Sequence, residues 1–236
     1  MRYAALIPAR GGSERIPRKN LALVGGLSLV ARAVYAAFDA GIADVTVGTD
    51  DMHIMQEAED CGAKCWQRPA SLSTGKPGAD GTSSTELVMR RWFSVRRGEF
   101  DAIVLLQPTS PLRTGDHVRE AMRLLESSGA DSVASVVRNP RAAFAGRAYP
   151  REGFTQLRPF RPAGHRPRTQ DARPIIEENG AIYVTRAAMF EATGDRMGGT
   201  VAAYVMDEDS SIDIDEPEDL ERARDAWARR ERKGAA

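Results

Sequence analysis

Leu6-Ile7-Pro8-Ala9-Arg10-Gly11-Gly12-Ser13-Glu14-Arg15-Ile16-Pro17-Arg18-Lys19-Asn20 is an apolar run that breaks into a glycine-rich basic loop. A loop that leaves a buried strand can turn several backbone N–H groups toward one anion. Gly11 and Gly12 lack a Cβ, so the backbone can bend sharply and approach a phosphate closely. Arg10, Arg15, Arg18 and Lys19 add neutralising charge, and arginine can hold phosphate in a two-pronged fork. Alone, the stretch is better described as an ordinary tight turn with solvated basic residues. Two familiar phosphate motifs are absent: there is no G-x-x-x-x-G-K-[ST] and no G-x-G-x-x-G after this first run.

Outward from the loop, strand and helix patterns alternate. Tyr3 to Pro8 predicts a strand buried on both faces. Ser28 to Ala40 has apolar residues at helical spacing and ends at Gly41. Val45 to Gly48 and Ala63 to Trp66 read as strands. Thr49-Asp50-Asp51 offers an N-cap for a helix over Met52 to Cys61. Thr82 to Arg97 predicts a helix, Ala102 to Leu106 a strand, Asp116 to Glu126 a helix and Ser132 to Val137 a strand. Asn179 to Val184 and Val201 to Met206 resume the extended pattern before a charged helix over Pro217 to Glu231. The alternation implies an α/β fold, a parallel sheet with helices on both faces, whose ligands sit beyond the carboxyl ends of the strands. The Gly-Gly loop, Thr49-Asp50-Asp51 and Gln107 to Arg113 all fall at that end.

Residues 139–178 interrupt the pattern with six prolines and eight arginines, offset before Glu177 only by Glu152 and Asp171. This composition reads either as an irregular solvated excursion or as an arm carrying positive charge to an anionic pocket or a partner subunit. The expected organisation is a core of residues 1–138 and 179–236 with a 139–178 insertion.

Ser211-Ile212-Asp213-Ile214-Asp215 alternates strictly, so an extended backbone would put both carboxylates on one face. Such a pair suits Mg²⁺, which keeps waters and completes its shell with substrate phosphates. A solvent-facing edge strand ahead of an acidic helix start is the plainer alternative. Opposite a phosphate loop, metal binding is the better account, because nucleotidyl transfer needs a cation on the developing charge.

Lysine plus arginine and aspartate plus glutamate number 33 each, and this zero balance disfavours a nucleic-acid or membrane-surface binder. Cys61 and Cys65 have no companions for a zinc site or a disulfide framework, and read as thiols of a reducing compartment. No run approaches the ~18 apolar residues of a membrane span. With no signal-type segment ahead of the first strand, a cytoplasmic location is expected.

Five motifs in order, Ile7-Pro8-Ala9-Arg10-Gly11-Gly12-Ser13, Ile16-Pro17-Arg18-Lys19-Asn20, Gln107 to Thr114, Asn179-Gly180-Ala181-Ile182-Tyr183 and Ser211 to Asp215, resemble the CMP-sialic acid synthetases, or acylneuraminate cytidylyltransferases. The resemblance implies a Rossmann-like nucleotidyltransferase that moves CMP from CTP to the anomeric hydroxyl of a sugar acid and releases pyrophosphate. It also implies Mg²⁺ and a homodimer whose 139–178 dimerisation arm reaches the neighbouring site. On the same basis Ala9, Arg10, Gly11, Ser13, Lys19 and Asn20 would hold the nucleotide, with Arg10 and Lys19 catalytic. Arg68, Ser83 and Ser84 would face cytosine. Gln107, Thr109, Ser110, Arg141, Arg168 and Asn179 would line the sugar-acid side, and Asp213 and Asp215 would hold metal and act in catalysis. The chain departs from the family in three places: Glu14 where lysine is usual, Pro140-Arg141-Ala142 where lysine follows a proline slightly later, and Arg168-Thr169-Gln170 in place of Arg-Arg-Gln. Those departures leave open a different ulosonic acid or a small phosphonate as acceptor. A non-catalytic nucleotide-binding subunit is the alternative outside enzymology.

Overall fold

β1 (Tyr3–Pro8) lies at the centre of the structure, a computed structural model that describes residues 1–13, 15–73, 84–139, 146–151, 154–159 and 175–234. Its four inner residues are fully buried, and strand alternation sends them to opposite faces. Ala5 and Ile7 join one apolar cluster, while Ala4 and Leu6 join another. An all-apolar run suits a strand covered on both sides.

β1 pairs in parallel with β4 (Asp44–Thr49) on one edge and with β6 (Ala102–Leu106) on the other. β5 (Lys64–Gln67), β7 (Ser132–Asn139), β10 (Ile175–Arg186) and β11 (Val201–Met206) complete a seven-stranded sheet of order β11-β7-β10-β6-β1-β4-β5. The chain leaves β1 toward β4 and later returns to β1's opposite side at β6. That reversal opens a crevice at the carboxyl ends of β1 and β6.

One strand departs from the parallel expectation. β10 is antiparallel to both β6 and β7. The reason is topological: β7 exits at the carboxyl end of the sheet and β10 enters from that same end. The two stay paired as far as Asn139 and Ile175, so residues 175–178 belong to the sheet and the expected insertion boundary at 178 falls inside a strand. Within the insertion, β8 (Gly146–Arg151) and β9 (Phe154–Pro159) form their own antiparallel pair, which the proline-rich composition had concealed.

α1 (Leu29–Asp39), α2 (Met52–Asp60) and α4 (Gly115–Ser128) cover one face of the sheet, through residues such as Val34, Ile54 and Leu125. α3 (Ser84–Ser94) and α5 (Ala187–Thr193) cover the other, through Met89, Trp92 and Phe190. A third cluster joins α6 (Pro217–Gly234) to Leu112, Ile212 and Ile214, and to Val24 of the short β2–β3 pair (Leu23–Val24, Leu27–Ser28). The caps are local and polar. Ser28 Oγ accepts from Ala31 N at 3.1 Å, and Asp51 Oδ1 from His53 N at 2.8 Å. Thr114 and His117 exchange hydrogen bonds in a capping box. Among the described residues no helix is long and apolar enough to cross a membrane.

The carboxyl end of α1 packs against the first residue of α4. A Cβ on Gly115 would crowd the Asp39 side chain and lie 2.9 Å from the Asp39 carbonyl carbon. Because that obstacle includes backbone, Gly115→Ala should lower folding stability by about 1–3 kcal/mol, the usual cost of overpacking. Urea unfolding checks this, and an unchanged midpoint would contradict the packing.

Candidate active site

A cleft of about 380 Å³ opens at the carboxyl ends of β1 and β6. Pro8, Arg10, Ser13, Lys19 and Asn20 line it from the basic loop, and Arg68 from the end of β5. Gln107, Pro108 and Thr109 come from the loop after β6, Thr85 and Val88 from α3, and Asp213 and Asp215 from the segment before α6. Nine sequence-predicted residues thus meet in one cavity although up to two hundred positions separate them. Thr85 and Val88 had no signal beyond i, i+3 spacing on a predicted helix.

The basic loop is braced from inside. Asn20, nearly buried, donates from Nδ2 to Arg10 O at 2.8 Å. Arg18 holds a left-handed backbone (φ 53°), and among the described residues it is the one non-glycine that does so. A non-glycine there carries strain, and it starts the short turn that delivers Lys19. Lys19 Nζ donates to Ile214 O at 2.6 Å and lies 3.4 Å from Asp215 Oδ1. Arg15 pairs with Glu216 at 3.0 Å, but both side chains are largely exposed, so this bridge adds little to stability.

The two glycines differ. Gly11 N donates to Asp50 Oδ1 at 2.8 Å, and a Cβ on Gly11 would lie 2.7 Å from Asp51 Cβ. Gly11 is therefore required by packing against the end of β4, and its N–H already has an acceptor. Gly12 is open, with nothing within 4 Å of a Cβ built there.

Opposite stands the acidic wall. Ser211 to Asp215 has no ladder partner, so the expected strand is an unpaired segment, anchored where Ile214 N donates to Thr109 O at 2.8 Å. The predicted alternation nevertheless survives. Ile212 and Ile214 are buried under α6, and both aspartates face the cleft. Burial pushes the Asp213 carboxyl up and Asp215 adds to the rise, against the Thr109 hydroxyl and Lys19. Asp213 Oδ1 is buried without a hydrogen-bond partner. An orphaned carboxylate oxygen beside a second carboxylate fits a hard divalent cation. Among the described residues no group of three or more His, Cys, Asp or Glu is gathered as ligands, so such a cation would need waters and substrate phosphate to complete its shell.

Three elements hold this wall in register. Arg113 is fully buried and donates through Nη1 to Gln107 O at 3.0 Å and Ala181 O at 2.8 Å; burial pushes its guanidinium down to about 9. Arg230 of α6 donates to Leu112 O at 2.8 Å and to Ser210 Oγ at 2.7 Å. Gly180 sits at the irregularity of β10 with φ 72°, where a Cβ would lie 2.8 Å from Gln107 Oε1 and 3.6 Å from Asp213 Oδ2.

Several predicted residues stand elsewhere. Ala9 is buried behind the loop, donating its N–H to Gly48 O at 2.9 Å. Ser110 is completely buried beneath the β6 loop and does not line the cleft. Asn179 is not a wall residue either. Its Oδ1 accepts from Ser135 Oγ (2.6 Å) and Ala181 N (3.2 Å), and its Nδ2 donates to Ser211 Oγ (2.9 Å). It knots β7, β10 and the acidic segment together. The backbone of Ser84 begins α3, next to the cleft residue Thr85. Glu14, Ser83, Arg141 and Arg168 lie outside the described residues.

A basic loop faces a carboxylate pair across the switch point of an open α/β sheet, the place where such sheets bind their ligands. The cytidylyltransferase family model matches residues 4–145, more than half of the sequence, and the chain belongs to that family. It is 36% identical over 90% of its length to N-acylneuraminate cytidylyltransferase A of Danio rerio, covering 47% of that protein. It is 27% identical over 93% of its length to an N-acylneuraminate cytidylyltransferase of Streptococcus agalactiae serotype V, covering 52% of that protein. The chain spans about half the length of the curated relatives it matches. Among solved structures, a CMP:2-keto-3-deoxy-manno-octonic acid synthetase complexed with CTP superposes with a TM-score of 0.69 at 19% identity, over 98% of this chain and 100% of that one. That likeness concerns the fold.

The raised Asp213 carboxyl has a consequence for stability. Its folded pKa lies above the unfolded value, so stability falls as pH rises through that interval and stays reduced above it. Asp213→Asn removes the buried charge. The variant should unfold at a higher temperature than wild type at pH 7, with the advantage vanishing below the ordinary aspartate range. Thermal unfolding across pH reads this, and a less stable variant at pH 7 would contradict it.

Proposed function

We propose that this chain transfers CMP from CTP to the anomeric hydroxyl of a nonulosonic, sialic-type acid and releases pyrophosphate. The observation that carries the reading is the meeting of Arg10, Ser13 and Lys19 with Asp213 and Asp215 across one cleft, in a chain similar to N-acylneuraminate cytidylyltransferases. The acceptor oxygen bonds to the α-phosphorus, the bond from that phosphorus to the bridging oxygen breaks, and the hydroxyl proton passes to solvent. Arg10 and Lys19 neutralise the triphosphate, and Ser13 donates to it. Arg68, whose buried Nε has no partner among the described residues, faces the pyrimidine. Gln107 and Thr109 line the acceptor side, and Arg113 and Gly180 hold that side in place. Asp213 and Asp215 would hold Mg²⁺, which when bound stabilises charge on the transferring phosphoryl and on pyrophosphate.

A homodimer belongs to this reading, with the 139–178 insertion as its arm. Ile176 and Val205 support it: both are well exposed, and they pair with the β7 positions Arg138 and Val136, so they share one face of the sheet near the root of the insertion. Use of CTP fits a cytoplasmic location. Another ulosonic acid or a small phosphonate remains the second acceptor class, because Glu14 places negative charge in the basic loop. A non-catalytic subunit would have no need of Lys19, Asp213 and Asp215 in one cavity.

Purified protein with Mg²⁺ and CTP should release pyrophosphate with at least one acid from a panel of nonulosonic acids, other ulosonic acids and phosphonates. Asp215→Asn should slow that release by about 10²-fold or more with the fold intact, as expected for lost transition-state charge stabilisation. Near-wild-type turnover at limiting Mg²⁺ would reject the metal role. In sedimentation velocity the protein should run as a dimer, and Val205→Asp should shift it toward monomer; a wild-type monomer at micromolar concentration would reject the dimer.

A further inference from the structure

Asp50 lies immediately after β4, in the strand end to which the basic loop ties through the Gly11 N–H and Arg68 through its backbone N–H. Oδ1 accepts the Gly11 N–H of the basic loop at 2.8 Å. Partial burial opposes ionisation, but the Gly11 N–H, the Ser73 hydroxyl, its own N–H and the Arg68 guanidinium together hold its carboxyl below the usual range. Arg68 follows the neighbouring strand β5 and is tied to the same strand end, its N–H donating to Thr49 O at 2.8 Å and its Nη2 to Leu72 O. Arg68 lines the cleft with a buried Nε that lacks a partner among the described residues. A guanidinium so placed matches cytosine, whose O2 and N3 both accept, and mismatches uracil, whose N3–H donates.

We propose that Asp50 is a positioning residue that sets the distance and orientation between the phosphate loop and Arg68, and so governs the preference for cytosine over uracil. It touches neither phosphate nor base. It acts through Gly11 at one end of the nucleotide and through Arg68 at the other. The proposal rests on reading the cleft as a CTP site.

Calorimetric titration of CTP and UTP into the full chain, with Mg²⁺ present, tests both together. Asp50→Asn keeps an oxygen for the Gly11 N–H but removes the charge facing Arg68. Asp50→Ala removes both. Asp50→Ala should weaken CTP binding by about tenfold or more, the size of one lost charge-assisted hydrogen bond. Asp50→Asn should lower the CTP-to-UTP affinity ratio by about threefold or more with a smaller loss of CTP affinity, since one RT-scale contact is changed. In the Arg68→Met background, Asp50→Asn should cost no further selectivity, because residues acting through one another are non-additive. A local folding defect would weaken both nucleotides alike and would persist in that background. Equal losses for CTP and UTP, tighter binding by Asp50→Asn through relieved repulsion, or additive losses in the double variant would each overturn the assignment. Wild-type protein that binds neither nucleotide would overturn the CTP reading and this proposal together; wild-type binding that Asp50→Asn leaves unchanged would overturn this proposal alone.

Discussion

The site depends on two adjacent strands, β6, buried throughout, and β1, buried over its four inner residues, locked in parallel by the ladder from Tyr3–Ala102 to Leu6–Leu105. A strand covered on both faces and paired on both edges has no freedom to shift, since a one-residue slip would turn its side chains to the wrong cluster. Pro8 and Gln107 emerge from those strand ends, so the basic loop and the acceptor loop begin at set positions. β4 lies on β1's far side and supplies the brace at Asp50 and Asp51. The reversal of strand order between β4 and β6 therefore does more than leave a crevice. It puts the cation-bearing loop beside the loop that faces the acidic segment.

Electrostatics across the cleft follow from that placement. Lys19 bonds to Ile214 O and sits within 3.4 Å of Asp215, and Arg15 pairs with Glu216, so the basic and acidic walls are matched before any ligand arrives. Asp213 is the exception. It is half-buried, has a buried oxygen with no partner and sits beside a like charge, an arrangement that costs stability and is typical of groups kept for binding or chemistry. Arg113 is its structural counterpart on the other side of the Gln107 loop. Its guanidinium is removed from water with two backbone carbonyls on Nη1, while Nε and Nη2 have no hydrogen-bond partner among the described residues, so its burial also costs stability. Asn179, which read as a candidate contact, is a fastener of the same kind, its hydrogen bonds pointing to the protein and not to the cavity.

Much of this was legible along the chain. Apolar runs marked β1 and β6 to the residue because burial on two faces leaves an unbroken signal, and Asp51 announced its helix by capping chemistry. The strict alternation of Ser211 to Asp215 correctly put both aspartates on one side, since it is side-chain alternation, not ladder pairing, that sorts isoleucine from aspartate. What the sequence could not determine was direction and distance. Nothing local in Asn179 to Val184 distinguishes an antiparallel strand from a parallel one; that is decided by where the chain re-enters the sheet after the insertion. Gly11 read as space for phosphate and proved to be space for Asp51, because a missing Cβ reports that something comes close without reporting what. The roles of Asp50, Arg113 and Arg230 arise only when segments up to about a hundred residues apart are packed together, since each bonds to backbone groups that carry no sequence signature.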